Sequence, residues 1–188
     1  VSNASLIDEH RLINVSHHWW EHVYSDFVEQ MAKAGITVDP EHIWFSGFCS
    51  QGDGASFTGN AFDMTLLCKA AEVDLSQFEL LPKHMSRVSL KIERMNSRYY
   101  HSNTMNIWAD VDNPFFDGVV YGADDFRLKV IDTLTTKLFA ELDVLEKELE
   151  TYLRGRADEL YRRLEEEYNY LTSDEAVAET LGINKLED

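Results

Sequence analysis

Two histidines and a glutamate lie together near the amino end, as His18-Trp19-Trp20-Glu21-His22. On a helix, His18 and His22 stand one turn apart and could hold a zinc ion while Glu21 served as general base. The spacing is that of an inverted zinc-peptidase motif, whose third ligand would be a downstream carboxylate that the sequence does not single out. The competing reading, histidines on an amphipathic helix or at an interface, is favoured by the brevity of the string.

A second polar string is Ser50-Gln51-Gly52-Asp53-Gly54. One aspartate falls short of the oxygen ligands of an EF-hand loop, and no Gly-Lys-Ser/Thr ending marks a phosphate loop. Asp-Gly is a favoured hairpin-turn pair. A turn does not call for the polar set around it, flanked by aromatics. Trp44, Ser46, Phe48, Ser50, Gln51, Gly52, Asp53, Gly54 and Ser56 are therefore the candidate partner-binding residues, since a loop on a rigid hairpin can present hydrogen-bonding groups. Arg98-Tyr99-Tyr100-His101 is either an interface hot spot or packing against a long helix. No G-x-S-x-G string occurs, and no motif sets a histidine beside Cys49 or Cys68, so no catalytic residue and no cofactor is assigned.

The elements that must hold these residues follow from periodicity. Trp19, Trp20, Val23, Phe27 and Met31 predict a helix over 16–34, with Gly35 as its left-handed cap. A turn at Asp39-Pro40 leads into a strand over 43–48, and 55–59 returns as its hairpin partner. Helical spacing covers 64–73, and a short helix over 75–81 is expected to stop at Pro82. Val88, Leu90 and Ile92, then Met105, Ile107, Ala109 and Val111, alternate as a second hairpin. From about Asp132, leucines recur at threes and fours to Leu164 and Tyr168, predicting an arm of about 40 residues and about 60 Å, with Gly155 as the place for a bend. Thr172-Ser173-Asp174-Glu175 predicts a capping box with Thr172 as the cap, and Gly182 closes that last helix.

The chain has 188 residues with 34 Asp+Glu against 17 Lys+Arg, a net charge of −17. Residues 124–188 hold 18 acidic and 9 basic side chains, leaving 16 and 8 for 1–123. Such acidity argues against direct nucleic-acid or anionic-membrane binding, and no apolar run reaches the length of a membrane span. Many C-terminal glutamates sit at helical spacing from a Lys or Arg, as Glu150 does from Arg154, which is the pattern of a solvated helix face. With only two cysteines, reduced thiols and a cytoplasmic setting are expected. Ser2-Asn3-Ala4 reads as a tag-cleavage remnant outside the fold.

Two strings resemble a known family. Phe45-Ser46-Gly47-Phe48-Cys49-Ser50-Gln51-Gly52-Asp53-Gly54-Ala55-Ser56-Phe57-Thr58-Gly59 is similar to the F-S-G-F-x-S-Q-G-D-G-A-x-F-x-G signature of a phage and prophage family labelled "antitoxin of toxin–antitoxin stability system". Leu160 to Val177 resembles its C-terminal signature, and Trp19-Trp20-Glu21 with Val23-Tyr24 its N-terminal helix. The resemblance features the tryptophans and an acidic residue rather than His18 and His22, and shifts attention to the hairpin. It implies a non-enzymatic phage-type protein in the host cytoplasm that binds and neutralises another macromolecule.

The expected fold is α+β: a small antiparallel sheet of hairpins, packed by an N-terminal helix and a long C-terminal helical region. Residues 5–123 form the core, and 124–188 a long helix plus a short capped helix on the same domain. The expected partner is a host protein with a basic surface, such as a nuclease or other nucleic-acid-binding protein. The alternatives are a metal-dependent enzyme using His18, Glu21 and His22, or a phage structural protein that forms homo-oligomers through the long helix.

Overall fold

The computed structural model describes residues 2–117 and 124–183. Among them, four strands form one antiparallel sheet in chain order: β1 Ile36–Ser46, β2 Gly54–Ala61, β3 Val88–Arg94 and β4 Met105–Val111. Six helices accompany it: α1 Asn3–Glu9, α2 Glu21–Lys33, α3 Met64–Ala70, α4 Leu81–His84, α5 Asp125–Leu171 and α6 Asp174–Thr180. The fold is α+β, and the two expected hairpins join through the pairing of Gly59 with Ile92.

Alternation puts Ile36, Val38, Ile43, Ala55, Phe57, Leu90, Ile92 and Ile107 in the core, while Thr37, Asn60, Lys91, Glu93 and Asn106 stay exposed. Helix α2 lies over β1 and helix α5 over β2 and β4. The leucine stripe of α5, from Leu138 through Leu149 to Leu164, is buried along its length. Each such leucine contributes about 2 kcal/mol of burial, which secures α5 far better than helix propensity does.

Polar side chains fix the position of α5 along the sheet. The Glu141 carboxylate accepts the backbone N–H groups of Glu79, Leu80 and Leu81 at 2.9–3.0 Å. Burial pushes the Glu141 carboxyl up, but those three donors outweigh it and hold the group below the usual carboxylate range. Glu146 accepts the N–H of Ala109 on the edge strand β4 at 2.7 Å. Arg154 donates to the carbonyls of Ser102 and Met105.

Several local expectations are corrected. Helix α2 starts at Glu21 rather than 16, with His18 ahead of it. Asp39-Pro40 is not a turn: both residues lie within β1, where four residues stand opposite Thr58 in a bulge between Val38 and Ile43. An edge strand tolerates a proline because one side of its backbone needs no partner. Pro82 begins a helix instead of ending one, since its missing N–H costs nothing in the first turn. Helix α5 starts at Asp125, capped by Asp124, and runs through Gly155 without interruption, about 70 Å for its 47 residues. Ser173 rather than Thr172 caps α6, accepting from the N–H of Ala176, while Thr172 closes α5. Ser2, Asn3 and Ala4 are not outside the fold, because they cap and open α1. Among the described residues, no helix is long and apolar enough to cross a membrane.

Candidate functional site

The loop between β1 and β2 is held from inside. Asp53 Oδ2 accepts the backbone N–H groups of Cys49 at 2.9 Å and Ser50 at 2.6 Å, and the Asp53 N–H donates to the Ser50 carbonyl. Gly52 has φ +95°, the left-handed region, and lies 3.3 Å under the Tyr99 ring, measured from where its Cβ would stand. At Gly54 a Cβ would come within 2.5 Å of His101 Cβ and 2.8 Å of His101 Cα, so no larger residue fits. Gly52, Asp53 and Gly54 are thus accounted for by the loop's own construction. The Asp53 carboxylate is held by the loop's own backbone N–H groups while the residue also lines the adjoining cleft.

Ser50 and Gln51 differ from them. Both are exposed, and neither side chain bonds to any group among the described residues. The Ser46 hydroxyl lies 3.5 Å from the Tyr100 carbonyl, a long contact. Ser56 is fully buried on β2 opposite Trp44, with no hydrogen-bond partner for its hydroxyl.

Aromatic rings flank the loop on both sides. On one, the Trp44 and Tyr100 rings are nearly parallel, with centroids 6.3 Å apart. The Arg94 guanidinium lies 4.4 Å from the Tyr100 centroid and 5.2 Å from that of Trp44. Within Arg98-Tyr99-Tyr100-His101, Tyr99 and His101 pack on the hairpin at Gly52 and Gly54.

On the other side, Trp19, Phe45, Phe48 and Tyr168 line a cleft of about 370 Å³ whose rim includes Cys49, Ser50 and Asp53. Phe48 is central: its ring is 5.0 Å from Tyr168, 5.5 Å from Tyr161, 5.7 Å from Phe45 and 6.3 Å from Trp19. The Tyr161 hydroxyl donates to the Gly47 carbonyl at 3.1 Å, tying α5 to the loop. Burial raises the Tyr161 phenol above the ordinary tyrosine value, and the charges of Glu165 and Asp53 raise it further. The sequence reading missed Tyr161 and Arg94. The one signal for Tyr161 was an aromatic one place off the leucine stripe, and Arg94 carried none.

The histidine string does not assemble as expected. His18 precedes α2 and contacts Glu21 at 3.1 Å, whereas His22 points to Glu167 on α5 at 3.6 Å. Both imidazoles are exposed, and among the described residues no group of three or more His, Cys, Asp or Glu side chains could hold a metal ion. Cys49 is exposed, and Cys68 is buried on α3, where burial pushes its thiol up to about 11.

A family model described as "Domain of unknown function (DUF8835)" matches residues 19–174. The chain belongs to this family. The matched span takes in the DUF8835 hairpin loop, all four rings of the cleft and the whole of α5, and leaves His18 just outside. No curated protein matches the chain, and no solved structure does.

Proposed function

We propose that this protein is non-enzymatic and binds and neutralises a protein partner, an antitoxin-like or anti-defence inhibitor of phage type. The observation that carries the reading is the division of labour in the β1–β2 loop. Asp53, Gly52 and Gly54 meet the structural needs of the turn, leaving the Ser50 hydroxyl and the Gln51 amide outward and unused. Free hydrogen-bonding groups on a rigid loop beside an aromatic cleft suit recognition of another macromolecule. With a net charge of −17, the fitting partner has a basic surface, such as a host nuclease or other nucleic-acid-binding protein, and the affinity should fall as salt is raised.

The test is affinity capture from a host lysate with the wild-type chain and a Ser50→Ala/Gln51→Ala double variant, checked for equal thermal stability. Loss of one and the same partner in the variant is expected. Capture unchanged by the double substitution would return the loop to a plain turn and remove the proposal.

A second reading, self-association through α5, rests on a separate observation. Phe126, Leu128 and Val130, at the amino end of α5, are 75%, 46% and 42% exposed. Solution mass that rises with concentration would favour it, and a strict monomer would remove it.

A further inference from the structure

The two aromatic surfaces beside the loop differ in one respect that bears on the partner. The Trp44–Tyr100 pair is occupied by the chain's own arginine, Arg94. Over the rings of the opposite cleft no cation stands among the described residues, since the only other cation over a ring is Lys91 on Trp108. Of the nearby histidines, His22 is directed at Glu167, and His18 lies beside the Trp20 ring and Glu21.

The cleft has the ingredients for a cation. Ring faces carry negative potential and attract a guanidinium within about 6 Å. Trp19, Phe45, Phe48 and Tyr168 supply four rings around one space, with Asp53 on its rim and Glu165 close enough to act on the Tyr161 phenol. The space is lined on the helix side by Tyr168 of α5 and on the loop side by Gly47–Ser50, including the exposed Ser50.

We propose that this cleft is an aromatic receptor for an arginine side chain of the protein partner, with the loop's polar groups reading the backbone around it. The proposal rests on the partner-binding reading above and gives that partner its chemistry: a surface arginine that lies in the cleft against its lining rings, as Arg94 lies over Tyr100 within the chain. The acidic surroundings favour its approach, and burial among rings makes the cation–π attraction count for more than it does in water.

The experiment titrates N-acetyl-arginine methylamide, and its uncharged citrulline counterpart, into the full chain and follows the ¹H–¹⁵N spectrum. Saturable shifts of the Trp19 indole N–H and of the 47–53 amides are expected with the arginine compound. The Trp44 and Trp108 indoles should stay still, and the citrulline compound should bind at least about tenfold more weakly. Phe48→Leu and, as a second variant, Tyr168→Leu keep apolar bulk but remove a ring face, and each should weaken binding by about threefold to thirtyfold. Equal responses to the two compounds, shifts scattered over the acidic faces, or binding unchanged in both folded variants would overturn the proposal. Its failure is separable from that of the broader reading. A partner lost on Ser50→Ala/Gln51→Ala, with no arginine binding at the cleft, leaves the loop as an interface and removes only the receptor.

Discussion

The two flanks of the β1–β2 loop are built from similar parts and put to different uses. On one, the Trp44 and Tyr100 rings are covered by Arg94, so the stack is complete within the chain and contributes to stability. On the other, Trp19, Phe45, Phe48 and Tyr168 surround a cleft left open. The closed flank draws its cation from the end of β3, a position fixed by the sheet. The open flank draws Tyr161 and Tyr168 from α5, whose buried leucines already secure it without help from the cleft. The cleft's rings rest on the core, yet the space they line holds no side-chain cation of the described chain.

The largest expected effect comes from breaking the joint that the two flanks share. Gly54 is where the 99–101 segment presses on the hairpin, and its nearest neighbours are His101 backbone and Cβ, which cannot swing aside as a side-chain tip could. Gly54→Ala should cost about 3 kcal/mol in urea denaturation and disturb the Trp44–Tyr100 stack and the cleft together. A loss below about 1 kcal/mol would mean that the loop is not clamped there and that the flanks move independently.

What was legible in the sequence follows the same local-versus-distant divide. The leucine stripe of α5 and the alternation of β3 and β4 were readable because each is a repeat along a few neighbouring residues. The role of Pro40 was not, because it depends on β1 being an edge strand, which only the assembled sheet decides. Thr172 and Ser173 can both cap a helix, and the choice fell one residue from the expected place. At the candidate site, the loop residues are neighbours in the sequence and so could be named together, but a sequence cannot say which way a carboxylate faces. That the Asp53 carboxylate bonds the Cys49 and Ser50 N–H groups is visible only in the folded loop. Tyr161 reaches Gly47 across 114 positions, a distance at which no spacing rule operates.

A smaller effect would sharpen the contrast directly. Arg94→Met keeps an apolar stem over the rings but removes the cation and its hydrogen bond to the Ser97 carbonyl. A stability loss of about 1–2 kcal/mol is expected, which denaturant titration can resolve. If the flanks differ mainly in occupancy, the variant should also acquire a second response to N-acetyl-arginine methylamide, at the Trp44 indole. A destabilised variant with no new response would show that the closed flank is a packing arrangement and never a cation site.

The smallest effect concerns the tie between α5 and the loop. Tyr161→Phe removes one hydrogen bond to the Gly47 carbonyl and should cost about 1 kcal/mol near neutral pH. The pH dependence then separates this bond from plain packing. Burial, with Glu165 and Asp53 adding to it, raises the Tyr161 phenol in the folded chain, so the unfolded chain loses that proton first. Between the two values the folded state binds more protons, and stability falls as pH rises. The contribution is complete below about pH 10, the ordinary tyrosine value, and is lost as the pH climbs through the folded value, where the phenolate has no proton left to donate. Tyr24 and Cys68, also raised by burial, are present in both proteins and cancel in the difference. Melting curves of the two chains should therefore differ at pH 8 and converge as the pH rises beyond about 10. A gap that persists unchanged to high pH would assign the effect to ring packing against Phe48, leaving the open flank without its hydrogen-bonded hinge.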